Sequence, residues 1–131
     1  MATVSILPIG AASQSLLPSL MDRSGHLAMD RVATTLGMSK VQLAETVGLG
    51  PQSLHKSDRA RGAKTQSRVL EMLEIVGRVA DWAGGCPQAL AWYRSQPIPA
   101  FGARTAEALV KEGRATAVRD YLDQIALGGF A

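Results

Sequence analysis

Val69, Leu73, Val76 and Ala80 recur at three- and four-residue spacing through residues 67–83, the spacing that places side chains on one face of an α-helix. Leu70, Met72, Val79 and Trp82 flank this stripe, with Trp82 read as a core residue, and Gly84-Gly85 ends it. From His26 onward no two-residue alternation lasts long enough to compete, so the chain reads as all-α.

The shorter helices follow from punctuation. Met29, Val32, Ala33 and Leu36 share a face of a helix over residues 28–36, closed by Gly37. Ser39 suits the N-cap of a second helix over 40–47, with Val41, Ala44 and Val47 inward. Gly48-Leu49-Gly50 allows only a tight turn, and Pro51 suits the first position of a third helix reaching about residue 60. Pro87 starts a short helix that Pro97 ends by Gln96, and residues 98–102 form an extended connection. Thr105 caps a helix to about residue 111, and a last helix covers about 115–127. Trp92 and Tyr121 read as core residues. Residues 1–22, with Pro8, Pro18 and no sustained period, read as a flexible arm with one short helical turn near 16–21.

Ala44, Gly48, Leu49 and Leu54 together carry a helix-turn-helix signal. The crossing position is small, a glycine follows four residues later where the turn needs positive φ, and two leucines tuck the next helix back. That arrangement leaves Gln52, Ser53, His55 and Lys56 near the exposed start of a recognition helix, where base edges are reached. Residues 1–68 carry eight Lys/Arg against four Asp/Glu, while residues 69–131 carry six against seven. Much of that excess lies in Lys56, Arg59, Arg61, Lys64 and Arg68, a run suited to gripping phosphates. The expected organisation is an arm (1–22), a helix-turn-helix DNA-binding region (23–68), and a long helix leading into a small C-terminal helical domain (69–131).

Other classes are disfavoured by what the residues lack. Cys86 has no partner for an internal disulfide, which suits a reducing, cytoplasmic setting. With only His26 and His55 beside it, no zinc site of ordinary spacing can be written. No nucleophile–base pair, carboxylate dyad or phosphate loop is legible, so no catalytic residue, metal or cofactor is expected. The apolar stretch Ile6-Leu7-Pro8-Ile9 is short and follows no basic segment, so neither a signal peptide nor a membrane span is expected.

Ala91-Trp92-Tyr93, Pro97, Ala100-Phe101-Gly102, Arg104-Thr105, Ala108-Leu109-Val110, Gly113, Ala117-Val118, Leu122, Ile125 and Gly128 follow one another in an order with a wider resemblance. Over about 86–131 they resemble the toxin-binding domain of Xre/MbcA/ParS antitoxins. Ala103 stands where a second glycine is usual, Ala106 where a proline is usual, and Phe101 where leucine is common. The resemblance implies an Xre/lambda-repressor-like helix-turn-helix upstream and a partner, a RES-domain toxin that consumes NAD+. It implies that the C-terminal domain covers the toxin's active-site entrance through Trp92, Phe101, Arg104, Gly128, Gly129 and Phe130. The N-terminal region would then repress the shared promoter by binding operator DNA, as a homodimer or a toxin-bridged hetero-oligomer. Two other readings are a stand-alone regulator whose C-terminal half only dimerises it, and a toxin-binding module whose helix-turn-helix is purely structural.

Overall fold

The computed structural model describes residues 17–129; residues 1–16, and with them most of the expected arm, lie outside the described residues. Residues 17–20 form a helical turn that sends Leu20 into the core at 2% exposure. A short reversal follows, pairing Met21 with Leu27. Its tip is organised by the Asp22 carboxylate, which accepts from the Ser24 N–H (2.8 Å), the Ser24 hydroxyl (2.6 Å) and the His26 N–H (3.1 Å). The Ser24 hydroxyl is the main reason the Asp22 pKa is lowered from 3.8 to about 2; desolvation opposes it, while the two backbone donors and Arg61 add to it. A carboxyl held low stabilises the fold above its ordinary value, and that contribution is lost as pH falls toward 2. In an NMR titration the Asp22 carboxyl should therefore show a midpoint near the bottom of the carboxylate range, and Ser24→Ala should move it up. An unmoved midpoint would show that the hydroxyl bond does not persist in solution.

Helix α1 (Met29–Leu36) buries Met29, Val32, Ala33 and Leu36 and closes at Gly37, which is left-handed. Helix α2 (Lys40–Thr46) opens on Ser39 with a reciprocal cap: the Gln42 N–H donates to the Ser39 hydroxyl, and the Ser39 N–H to the Gln42 side chain. Leu43, Ala44, Thr46 and Val47 are buried, whereas Val41 is only half-buried.

The third helix departs from expectation. Residues 51–55 form turns, with the Ser53 and His55 N–H groups bonded three residues back to Gly50 and Gln52. Lys56 is extended, and only Ser57–Ala60 are helical, as the four-residue α3. The cause is where the chain must go next. Gln66 donates to the Ala60 carbonyl (2.7 Å), and its amide also pairs with both the N–H (2.8 Å) and the carbonyl (3.3 Å) of Leu27. Those contacts pin the end of α3 against the reversal at 21–27.

Helix α4 (Ala63–Ala83) spans 21 residues and starts four residues earlier than its stripe suggests. Val69, Met72, Leu73, Ile75, Val76 and Val79 are buried, a band wider than one stripe, because the remaining helices wrap it. Helix α5 (Cys86–Ser95) packs along it, followed by α6 (Ala106–Lys111), α7 (Ala115–Gln124) and a π-type turn, Ile125–Gly129. No strand is formed among the described residues.

One hydrophobic core runs from Leu20 to Leu122. The boundary expected after residue 68 falls inside α4, and the seam there is tight. Tyr93 on α5 is fully buried, and its hydroxyl donates to the Thr46 carbonyl at the end of α2 (2.7 Å). Arg68 donates to the Val47 carbonyl (2.8 Å) and the Lys111 carbonyl (3.3 Å), so this member of the basic run is turned inward as a clamp.

Candidate functional site

The residues expected to meet a partner lie on α5, on the connection after it, and beyond α7. The connection is built around Ile98, which is buried and exchanges backbone bonds with Arg104 and Ala103. Reversing the chain over so few residues requires a 3₁₀ turn (Pro99–Phe101) and two consecutive left-handed residues, Gly102 at φ 67° and Ala103 at φ 66°. Ala103 is the one non-glycine residue at positive φ among the described residues. An L side chain in that region costs about 1 kcal/mol. Ala103→Gly should therefore raise the midpoint of thermal unfolding by a few degrees, less what glycine's extra freedom removes from the unfolded chain. A lowered midpoint would mean that the connection is not held in this form.

Thr105 caps α6 as expected, its hydroxyl accepting from the Ala108 N–H (3.1 Å), and Ala106 occupies the first position fully buried. Phe101 and Arg104 are both engaged within the chain. The Phe101 ring meets Tyr121 edge-on with centroids 6.1 Å apart, and the Arg114 guanidinium sits 6.0 Å from its centre. Arg104 forms a two-pronged ion pair with Glu112. Trp92 and Tyr121 are half-buried against the core. Gly128 is left-handed and exposed, and Gly129 ends the π-type turn. Phe130 lies outside the described residues.

Residues 78–128 match the family described as the antitoxin Xre/MbcA/ParS C-terminal toxin-binding domain. The match covers less than half of the chain, and there the chain is similar to that domain. No curated protein and no solved structure matches the chain. The match begins inside α4 at Arg78, ahead of residue 86 where the resemblance in the sequence starts, and ends at Gly128. It therefore includes Trp82, which is 38% exposed and not the core residue its composition suggests. Spacing alone did not mark it: Trp82 lies seven residues after the buried Ile75 and three after the buried Val79, at the edge of the buried band, and is uncovered at the last turn of α4. Leu127, at 88% exposure, is the second apolar residue of the domain that the sequence reading left out of its site.

In the N-terminal half, Gln52, His55, Lys56, Arg59, Arg61 and Lys64 are exposed, while Ser53 is half-buried beside the buried Leu54. They occupy turns, α3 and the start of α4; the helix expected from Pro51 to about residue 60 is formed only over Ser57–Ala60. Arg61 approaches Asp22 at 3.6 Å, and Lys56, Arg59 and Lys64 form no ion pair among the described residues. No helix among the described residues is long and apolar enough to cross a membrane, and no group of side chains there is arranged to hold a metal ion.

Proposed function

We propose that the protein is the antitoxin of a type II toxin–antitoxin pair, acting in the cytoplasm, that neutralises a RES-domain, NAD+-consuming toxin by covering its active site. The observation that carries this reading is the toxin-binding domain at residues 78–128, together with the absence of any legible catalytic constellation in the sequence. We further propose that the exposed basic residues at 56–64 bind the promoter of the pair, mainly through phosphates. Gln52 and His55 sit in turns at the edge of that surface, which favours a larger share for phosphate contacts than a seated recognition helix would give.

Co-expression with the adjacent open reading frame tests the first part. The two proteins should co-purify, and the loss of cellular NAD+ caused by the neighbour alone should stop. Continued NAD+ loss despite an intact complex would overturn active-site coverage. Retardation of the promoter fragment across a salt series tests the second part. Arg61→Ala or Lys64→Ala should weaken binding to specific and random DNA alike and flatten the salt slope by about one counterion. A second reading, in which the N-terminal half only braces the toxin-binding domain, is favoured by the interrupted α3 and the buried seam at Thr46–Tyr93. It requires that no retardation occurs even at low salt.

A further inference from the structure

Trp82 and Leu127 are the large apolar side chains that stand exposed among the described residues, and the fold carries them to the same end of two helices. Arg119 on α7 pairs with Glu74 (3.0 Å) and Glu71 (4.0 Å) on α4. About one turn further along both helices, Arg78 on α4 pairs with Asp123 on α7 (2.8 Å). The order of these contacts makes α4 and α7 run in the same direction. Trp82 follows Arg78 by four residues and Leu127 follows Asp123 by four, so each lies about one turn beyond the ion pair, at the shared C-terminal end.

Leu127 is not required there by the fold: the buried positions of α7 are Ala115, Val118 and Leu122. Trp82 stands at the edge of the buried face of α4, at its last turn, and keeps 38% of its surface exposed. Both fall within the matched residues 78–128, near its two sequence ends, and the ion pairs between α4 and α7 bring the C-terminal ends of those helices to the same end of the domain. The aromatic and cationic groups of the connection are turned toward each other instead: Phe101 toward Tyr121 and Arg114, Arg104 toward Glu112. We infer that Trp82 and Leu127 form the apolar anchor by which the domain docks on its toxin, which offers a matching apolar socket flanked by polar groups that meet the Arg78–Asp123 pair. This inference rests on the toxin-binding reading of residues 78–128.

The test is calorimetric titration of the purified full chain with the purified product of the adjacent open reading frame. Trp82→Ala and Leu127→Ala should each weaken binding by about tenfold or more, and the double variant more than either, because apolar anchors at an interface centre dominate its affinity. Thermal unfolding of Leu127→Ala should stay close to that of the unaltered protein, whereas Trp82→Ala, which removes a ring only 38% exposed, lowers the midpoint as well. Leu127→Ala is the decisive variant, since a side chain so exposed contributes little to the fold. Unaltered affinity in Leu127→Ala and Trp82→Ala overturns the anchor while the toxin reading stands. Failure of the unaltered protein to bind overturns the toxin reading and the anchor with it. If light scattering shows that the substitutions turn a dimer of this chain into monomers while toxin affinity is retained, the surface joins two copies and the inference is overturned.

Discussion

Gly48→Ala is expected to destabilise the protein by about 3 kcal/mol, and Gly37→Ala by only about 1 kcal/mol. Both glycines are left-handed, at φ 75° and φ 71°, so both variants carry the same backbone strain. They differ in what a methyl group meets. At Gly37 nothing lies within 4 Å, whereas at Gly48 it would stand 2.9 Å from both the Cα and the carbonyl oxygen of Lys111. Those atoms are backbone, held by α6 and by the Arg68 clamp, and cannot swing aside as a side-chain end can. The turn after α2 would have to lift off α6, loosening the contacts of Arg68 and Tyr93 nearby. A difference of about 2 kcal/mol corresponds to roughly 8 °C in the midpoint of thermal unfolding for a chain of this size. Equal midpoints for the two variants would show that α6 does not approach the turn in solution, and would leave the two halves of the chain without their tightest seam.

The same residue shows where the sequence was legible and where it was not. That Gly48 makes a left-handed turn follows from its neighbours, as do the Gly37 stop, the Ser39–Gln42 cap and the Thr105 cap, because each is settled within a few residues. That Gly48 also leaves room for Lys111 depends on a segment far along the chain, and no local pattern carries it. The third helix misled for the same reason. Pro51 and Leu54 are sound local signals, but the amide of Gln66 holds Ala60 and Leu27 together and decides where the chain must turn. Arg68 was counted with an outward basic run because charge density carries no direction; its two carbonyl partners turn it inward. At the candidate site, the ordered motif lies within the stretch that matches the family, and it includes Phe101 and Arg104, which are engaged within the chain, while the exposure of Trp82 and Leu127 is set by packing that no local pattern carries.

Tyr93 bears the largest single expected loss. Its ring is fully buried, and its hydroxyl is the partner of the Thr46 carbonyl, one of the groups that the end of an α-helix leaves without an intrahelical donor. Burial raises the phenol's pKa far above its usual range, with a smaller push from Glu107, so the hydroxyl keeps its proton and donates at any pH at which the fold exists. Tyr93→Phe keeps the ring and removes the donor, leaving a buried carbonyl unsatisfied at a cost of about 1–2 kcal/mol. Tyr93→Ala also opens a cavity of ring size and should cost about 4 kcal/mol or more. Urea unfolding followed by tryptophan fluorescence and by circular dichroism measures both. Because α2 belongs to the N-terminal half and Tyr93 to the stretch that matches the toxin-binding family, the manner of the loss is as informative as its size. With one core running from Leu20 to Leu122, both probes should shift together, in a single transition of unchanged steepness. Two separated transitions, one for the helices before α4 and one for those after it, would mean that the Thr46–Tyr93 seam couples the halves only weakly. The toxin-binding domain would then keep its function when the N-terminal half is unfolded. A single transition in Tyr93→Ala means instead that anything loosening the α2 turn also weakens the surface proposed to hold the toxin.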